Sequence, residues 1–597
     1  MDSLLFPPVA AMDGSTLRLG DAVTAPTDAV RESVDKFPDR TERSLYLDWP
    51  LDAAPARVLA AGLRLRVSAT ARVSVPMARV LPAQPAAALL TCPRLFPPDD
   101  ATVDGQFAVA LTAPDCLSGT IHLAEDDAGV AATPAPLDCP VQLYLYGEDE
   151  ALIIEHEFQR EAWARPGETL LLARQVLHRL SATDAHPLAV TGAYLADAGC
   201  APPPDRAAWA REAIVWEVEP FSLGGWAGIT AQLDHIRALG FNTLYLMPWH
   251  QGSYGTIDYL QMDERLGDFA GLRALCDAAH ARGLRVLFDL LVNIAVPESP
   301  YLQAHPDWFY HDADGQVLTH PLWGGACLDP ASPGFRAFLT DYAVRCCTDW
   351  GADGFRVDAV SYRGGAWHAS LGLQPYAHSH AVFTLLHEIR AALRRVHPDA
   401  VLMSETFGPM QAPWSDLVCG HWIIGMDWLQ QGLLGGTIDG ATLQRLLADH
   451  FAVLPPQTWL ALYTHTHDTL AFTKRDEHGP ALDALFSHLA LVGAGVMAFG
   501  GGWGMPRRPQ PAEEADYQRL FACKTALGGV AVGEVDFPPT DTPALCVAVR
   551  PSARGLVRVV TNFSALPHPL PAGQVLYSRL GSGNGVIAGW DTAVQTG

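Results

Sequence analysis

GADGFRVDAV, residues 351–360, is the stretch on which the reading of this chain turns. Arg356 and Asp358 stand two positions apart at the end of a short apolar run. In a strand both project from one face, and Phe355 and Val357 take the other. A structural ion pair would explain the pattern, and so would an aspartate kept ionised for chemistry. The sequence on either side separates the two.

From about residue 211, short apolar runs alternate with amphipathic helical patterns. AIVWEVEP, FNTLYLMP, LRVLFDLLVN, ADGFRVDAV, AVLMSETF, HWIIGMDW, TWLALYTHTHD and AGVMAFGG read as strands. Between them lie ITAQLDHIRALG, DFAGLRALCDAAHARG and HAVFTLLHEIRAALRRV. In the second of these, Phe269, Leu272, Cys276 and Ala279 fall at i, i+3, i+7 and i+10, which is one helical face. Eight strands in alternation over roughly 300 residues predict a (β/α)8 TIM barrel, within the usual size of that α/β fold. A doubly wound sheet is the other arrangement, but no glycine-rich phosphate loop follows the first strand.

The connection after LRVLFDLLVN contains HPDWFYHDADGQV and WGGACLDP. It is too long for an ordinary βα loop and reads as a small inserted excursion over residues 293–331. Upstream, a zone rich in Ala and Pro carries the β-like runs LRLRVSATARVSV, FAVALTA, VQLYLYG and TLLLARQVLHRLSA, and ends in the linker CAPPPDR. Downstream, ALCVAVRP, LVRVVTNFS and QVLYSRL suggest a short β domain. The expected division is an N-terminal β-sandwich region over 1–205, a catalytic barrel over 211–530 and a C-terminal β domain over 531–597.

A net charge of −25 disfavours nucleic acid and anionic membranes, both of which reward basic surfaces. A neutral polar substrate such as a sugar is compatible with it. The 11 cysteines follow no framework, so reduced thiols are expected. The opening MDSLLFPPVAAMDG lacks a basic segment and a long apolar core, and no run is long enough to span a bilayer. A cytoplasmic protein is the expectation.

Barrel enzymes place their reactive groups at the C-terminal ends of strands. Those ends carry Asp289 and Asn293 on the third strand, Arg356 and Asp358 on the fourth, Glu405 on the fifth, and His467 with Asp468 on the seventh. One aspartate at a strand end means little, since loop starts and helix caps favour it. Three carboxylates and an arginine on one rim favour chemistry. Arg356 beside Asp358 favours the ionised carboxylate. Glu405 has Met403 two positions before it instead of an arginine, and that less polar flank favours a retained proton. Two carboxyls of opposite protonation are what glycoside cleavage requires. Neighbouring strands lie about 4.8 Å apart, which suits the roughly 5–5.5 Å separation of retaining enzymes.

DLLVN, GFRVDAV, SETFG and THTHD, in that order, resemble the four short conserved regions of the α-amylase family, glycoside hydrolase family 13. The resemblance covers about residues 211–505. It implies Asp358 as nucleophile, Glu405 as general acid/base, and Asp468 as the carboxylate that grips sugar hydroxyls beside the reacting carbon. It implies that Arg356 and His467 hold the sugar and the nucleophile, that Asp289 supports the site, and that Asn293 joins the substrate-binding set. SYGTIDYLQMDERLG resembles the family's loop after the second strand, which makes Tyr254 the ring stacked on the sugar and Asp258 its polar companion.

The chain departs from the family pattern in places. Ile294 stands where a histidine often follows the asparagine, and Ser361 with Tyr362 where many amylases carry Lys-His. Calcium is therefore not expected, nor is any other metal or cofactor. NIAVPESPYLQAHPDWFYHDADG resembles the maltosyltransferase branch that uses maltose 1-phosphate, and DAVSY resembles trehalose-converting members. The expected activity is retaining hydrolysis of α-glucosidic bonds in oligosaccharides or α-glucans. Glucosyl or maltosyl transfer and trehalose conversion are alternatives. Two readings of other classes are a metal hydrolase built on HTHD, residues 465–468, and an inert carbohydrate-binding relative. The first leaves the Arg356–Asp358 pair unexplained, and the second keeps three carboxylates without a use for them.

Overall fold

A computed structural model describes residues 10–19, 28–67, 72–74, 81–82, 109–113, 121–125, 128–135, 141–148, 151–158, 160, 162–181, 186, 188–311, 316–320, 323–358, 375–405, 411–419, 433, 436, 438–464, 466–467, 475–500 and 511–596. Its centre is a closed barrel of eight parallel strands: β1 (Ile214–Val218), β2 (Thr243–Leu246), β3 (Arg285–Leu290), β4 (Gly354–Val357), β5 (Val401–Ser404), β6 (Leu417–Cys419), β7 (Leu460–Leu462) and β8 (Gly495–Phe499). Each pairs with the next, and β8 pairs with β1.

Strands covered on both faces need apolar residues at every position, which is why these runs read as continuous rather than alternating. Val215, Tyr245, Leu287, Met403, Cys419, Ala461 and Met497 pack together as the barrel interior. Trp216, Val218, Leu244, Phe288, Phe355 and Leu402 belong to the larger outer core that includes the helices. Helix Phe269–His280 supplies part of that layer. Asp268 caps it by accepting the Gly271 N–H at 2.7 Å, and Leu272, Leu275, Cys276 and Ala279 are buried.

One expected strand needs correction. HWIIGMDW, residues 421–428, lies outside the described residues, and the sixth barrel position belongs to Leu417–Cys419. Asp416 fixes it there: its carboxylate accepts the Leu402 N–H at 2.9 Å and takes Arg390 and Arg394 at 3.1 and 2.5 Å. A three-residue strand is too short to show a period.

The excursion after β3 leaves and returns at one place. Ile294–Ala295 pairs with Ala326–Cys327, and Leu328 N–H donates to Asn293 O at 2.9 Å. Inside it, Trp308 packs on Tyr301 and on Phe335 and Phe338 of helix Pro333–Thr348. Trp323 is 43% exposed and stacks on buried His320, centroids 4.0 Å apart.

Upstream, antiparallel strands form a seven-stranded and a six-stranded sheet, in which Ala56–Val67 and Thr169–Ser181 are the longest members. Within CAPPPDR, Asp205 bonds Arg390 at 2.8 Å and Arg206 lies over the Trp459 ring at 3.8 Å. Downstream is a four-stranded sheet. From it Arg550 donates to Leu491 O at 2.6 Å and Leu527 O at 3.1 Å, occupying last-turn carbonyls of helices Arg475–Val492 and Pro511–Leu527. Lys524 does the same from within the second helix, with Nζ 2.8–3.2 Å from the carbonyls of Ala490, Gly493 and Ala494.

Candidate active site

Arg356 projects from β4 into the barrel, almost wholly buried. Its Nη1 lies 2.6 Å from Asp358 Oδ1 and 3.2 Å from Asp289 Oδ1, and its Nη2 lies 2.6 Å from Glu405 Oε1. The register explains how one side chain reaches three strands, because Asp289, Arg356 and Met403 are partners across β3, β4 and β5. A rigid, always charged fork suits that task where a flexible ammonium would not. Burial opposes the charge on Arg356, but Asp289 and Glu405 outweigh it and hold the guanidinium protonated.

Asp289 is the deepest of the three carboxyls. Burial pushes it up to about 6, against the pull of Arg356. Tyr245 and Tyr254 both donate to its Oδ2, at 2.5 and 2.9 Å. Burial drives both phenols well above their ordinary value, so they remain donors. Asn293 Nδ2 donates to Asp358 O at 3.2 Å and sits 3.4 Å from its Oδ2. Tyr254 stacks on His467, centroids 5.3 Å apart and planes 16° from parallel. His467 Nδ1 in turn lies 2.6 Å from Glu217 Oε1 on β1.

The structure therefore brings Asp289, Asn293, Arg356, Asp358, Glu405, Tyr254 and His467 to one end of the barrel. Asp468 lies outside the described residues, as do His465, Ser361 and Tyr362. Asp258 is elsewhere: its Oδ1 accepts from Tyr301 Oη at 2.6 Å and Leu260 N–H at 2.8 Å. It braces the β2 loop against the excursion. The expectation for Glu405 also needs correction. Met403 flanks it in sequence, but Arg356 reaches it from the neighbouring strand, so it is not free of the arginine. Three carboxyls share that one cation.

Two participants were not singled out from sequence, Glu217 and Tyr245. Both sit mid-strand, and the available signal was a glutamate inside the buried run IVWEV. Among the described residues, no group of three or more His, Cys, Asp or Glu side chains could hold a metal ion.

Comparison with known proteins gives this rim a context. The family model for the α-amylase catalytic domain matches residues 205–307, which contain β1 to β3, Asp289 and Asn293. This part of the barrel is similar to the α-amylase catalytic domain. The intracellular maltogenic amylase of Bacillus subtilis is 28% identical over 190 residues, 26% of this chain and 32% of that one. The trehalose synthase/amylase TreS of Mycolicibacterium smegmatis is 25% identical over 244 residues, 33% and 40% of the two chains. These alignments span only about a third of the length of the curated relatives. Among solved structures, an α-amylase from Lactobacillus plantarum superposes with a TM-score of 0.53 at 18% identity, covering 65% of this chain and all of that one. At that identity the superposition speaks for the amylase-type fold alone.

Proposed function

We propose that this chain is a retaining α-glycoside hydrolase acting on α-glucosidic bonds of oligosaccharides or α-glucans. The observation that carries the reading is the single guanidinium of Arg356 holding Asp358 and Glu405 at 2.6 Å each. Two carboxyls gripped by two nitrogens of one fork are held close, which fits the roughly 5–5.5 Å separation of a retaining pair better than the wide end of the inverting range, about 9.5 Å. In the proposed cycle Glu405 protonates the leaving oxygen while Asp358 attacks the anomeric carbon, giving a covalent glycosyl-enzyme and a free alcohol. Glu405 then takes a proton from water, whose oxygen displaces Asp358. Asp468 would hold sugar hydroxyls beside the reacting carbon, and Tyr254 would present a ring to the apolar face of the sugar.

Transfer to a second sugar is the other reading, favoured by the similarity to TreS. A cytoplasmic location is part of the proposal, supported by the similarity to an intracellular amylase and by eight described cysteines that are all free thiols. No helix among the described residues is long and apolar enough to cross a membrane. Product analysis with maltooligosaccharides, trehalose, sucrose and maltose 1-phosphate, each with and without phosphate, tests the assignment. Free reducing sugar of retained configuration is expected, and no turnover of any donor would refute it.

A further inference from the structure

Glu217 is a glutamate with no exposed surface, carried into the barrel interior by β1. Its strand neighbours Trp216 and Val218 take the outer face, so alternation aims it at the same space as Tyr245 and Phe499, its register partners on β2 and β8. One carboxylate oxygen lies 2.6 Å from His467 Nδ1, and the other, equally buried, has no hydrogen-bond partner among the described residues. A buried carboxylate with an orphaned oxygen calls for an explanation. A charge buried without a counter-charge is costly.

We propose that Glu217 is a positioning residue that keeps His467 doubly protonated, so that an imidazolium rather than a neutral imidazole stands beside Tyr254 at the mouth of the barrel. Three observations support the charged form. The 2.6 Å contact lies at the short end for hydrogen bonds between ionised groups. The Tyr254 ring lies against the imidazole, with centroids 5.3 Å apart, and an aromatic face at that range attracts a cation. The wider field is acidic.

Tyr245 from β2 and Cys419 from β6 act on Glu217, Tyr254 from the β2 loop lies against His467, and through the two tyrosines the pair adjoins the cluster of Asp289 from β3, Arg356 and Asp358 from β4 and Glu405 from β5. Asp468 follows His467 in the chain, outside the described residues. Arg356 supplies one positive charge to Asp289, Asp358 and Glu405, and a second cation at His467 offsets Glu217. Elsewhere in the chain burial pushes His450 and His488 down to about 3.

An imidazolium has only donors. His467 Nε2 is thereby committed to donating and cannot accept, which sets which sugar oxygens it can hold. This consequence rests on the proposed glycosidase reading, whereas the charge state does not. The sign follows from the pairing: the imidazolium is present at low pH and is lost as pH rises through its deprotonation.

Two measurements on the full chain test the proposal. In ¹⁵N-histidine NMR, His467, assigned by its absence in His467→Gln, is expected to remain an imidazolium above pH 7. In Glu217→Gln, which can still accept from Nδ1, the transition is expected to fall by roughly one pH unit or more. The alkaline limb of kcat/KM should move down by the same amount. A neutral His467 at pH 6–7 in the wild type would overturn the proposal, as would a titration unchanged in the Gln variant. If that variant does not fold, the wild-type titration decides alone. Absence of turnover in the wild type would refute the glycosidase reading and leave the NMR result standing.

Discussion

Arg356 Nη2 meets Glu405 Oε1 at 2.6 Å across the β4–β5 boundary. The arginine that sequence pairs with Asp358 alone is therefore shared between both carboxyls of the proposed reaction. Asp289 is a third claimant on it at 3.2 Å. Such a set titrates together, and removing a member redistributes protons among the rest.

Asp358→Asn keeps the side-chain shape and removes the attacking charge. Turnover of α-glucosides is expected to fall at least a thousandfold or so, with circular dichroism and thermal midpoint close to wild type. Steady-state rates beside an unfolding curve check this. Retained activity would take Asp358 out of the nucleophile role.

Glu405→Gln should lose most activity toward natural donors, whose leaving oxygen needs a proton. With an activated glucosyl fluoride the first step should suffer far less, because fluoride leaves without much help. Pre-steady-state rates with both donors decide it, and an equal loss on both would count against Glu405 as the acid.

The two ends of the barrel should respond oppositely to pH. Asp353, below β4, is buried, but His280, His397, Val286 N–H and Arg285 donate to it and hold it well below the carboxylate range. Its contribution to stability is present above the unfolded value, about 3.9, and is lost as pH falls below that. Asp289 is raised to about 6, so the folded state binds its proton first and stability falls as pH rises from about 4 toward 6. Urea midpoints across pH 3–8 should lose the acid limb in Asp353→Asn and the opposing slope in Asp289→Asn. Parallel curves for either variant and the wild type would reject the corresponding assignment.

Lys524→Met should destabilise the fold without touching the active end. It strands the carbonyls of Ala490, Gly493 and Ala494, now served by one buried ammonium. A buried acceptor left unsatisfied costs about 1–3 kcal/mol. A loss of a few kcal/mol in urea unfolding with unchanged kcat is expected, and an unchanged midpoint would refute the capping role.

What was legible in the sequence was local. A 3.6-residue period announced helix Phe269–His280, and seven of the eight barrel strands lie inside apolar runs read as strands. The two-residue spacing of Arg356 and Asp358 put both on one face, because side chains alternate along a strand whatever surrounds it.

Contacts between strands were not legible. Glu405 reads as free of arginine because the one that reaches it lies 49 positions earlier, brought near only by the pairing of β4 with β5. Asp258 read as an active-site group, yet Tyr301 claims it from the excursion. Glu217 drew no attention until His467, 250 positions away, was placed against it. The chain alone decided which residues could stand on the barrel's inner face, since backbone alternation and burial are local demands. Which of them share a charge or a proton was left to tertiary structure, since Coulomb and hydrogen-bond partners are chosen by distance in space.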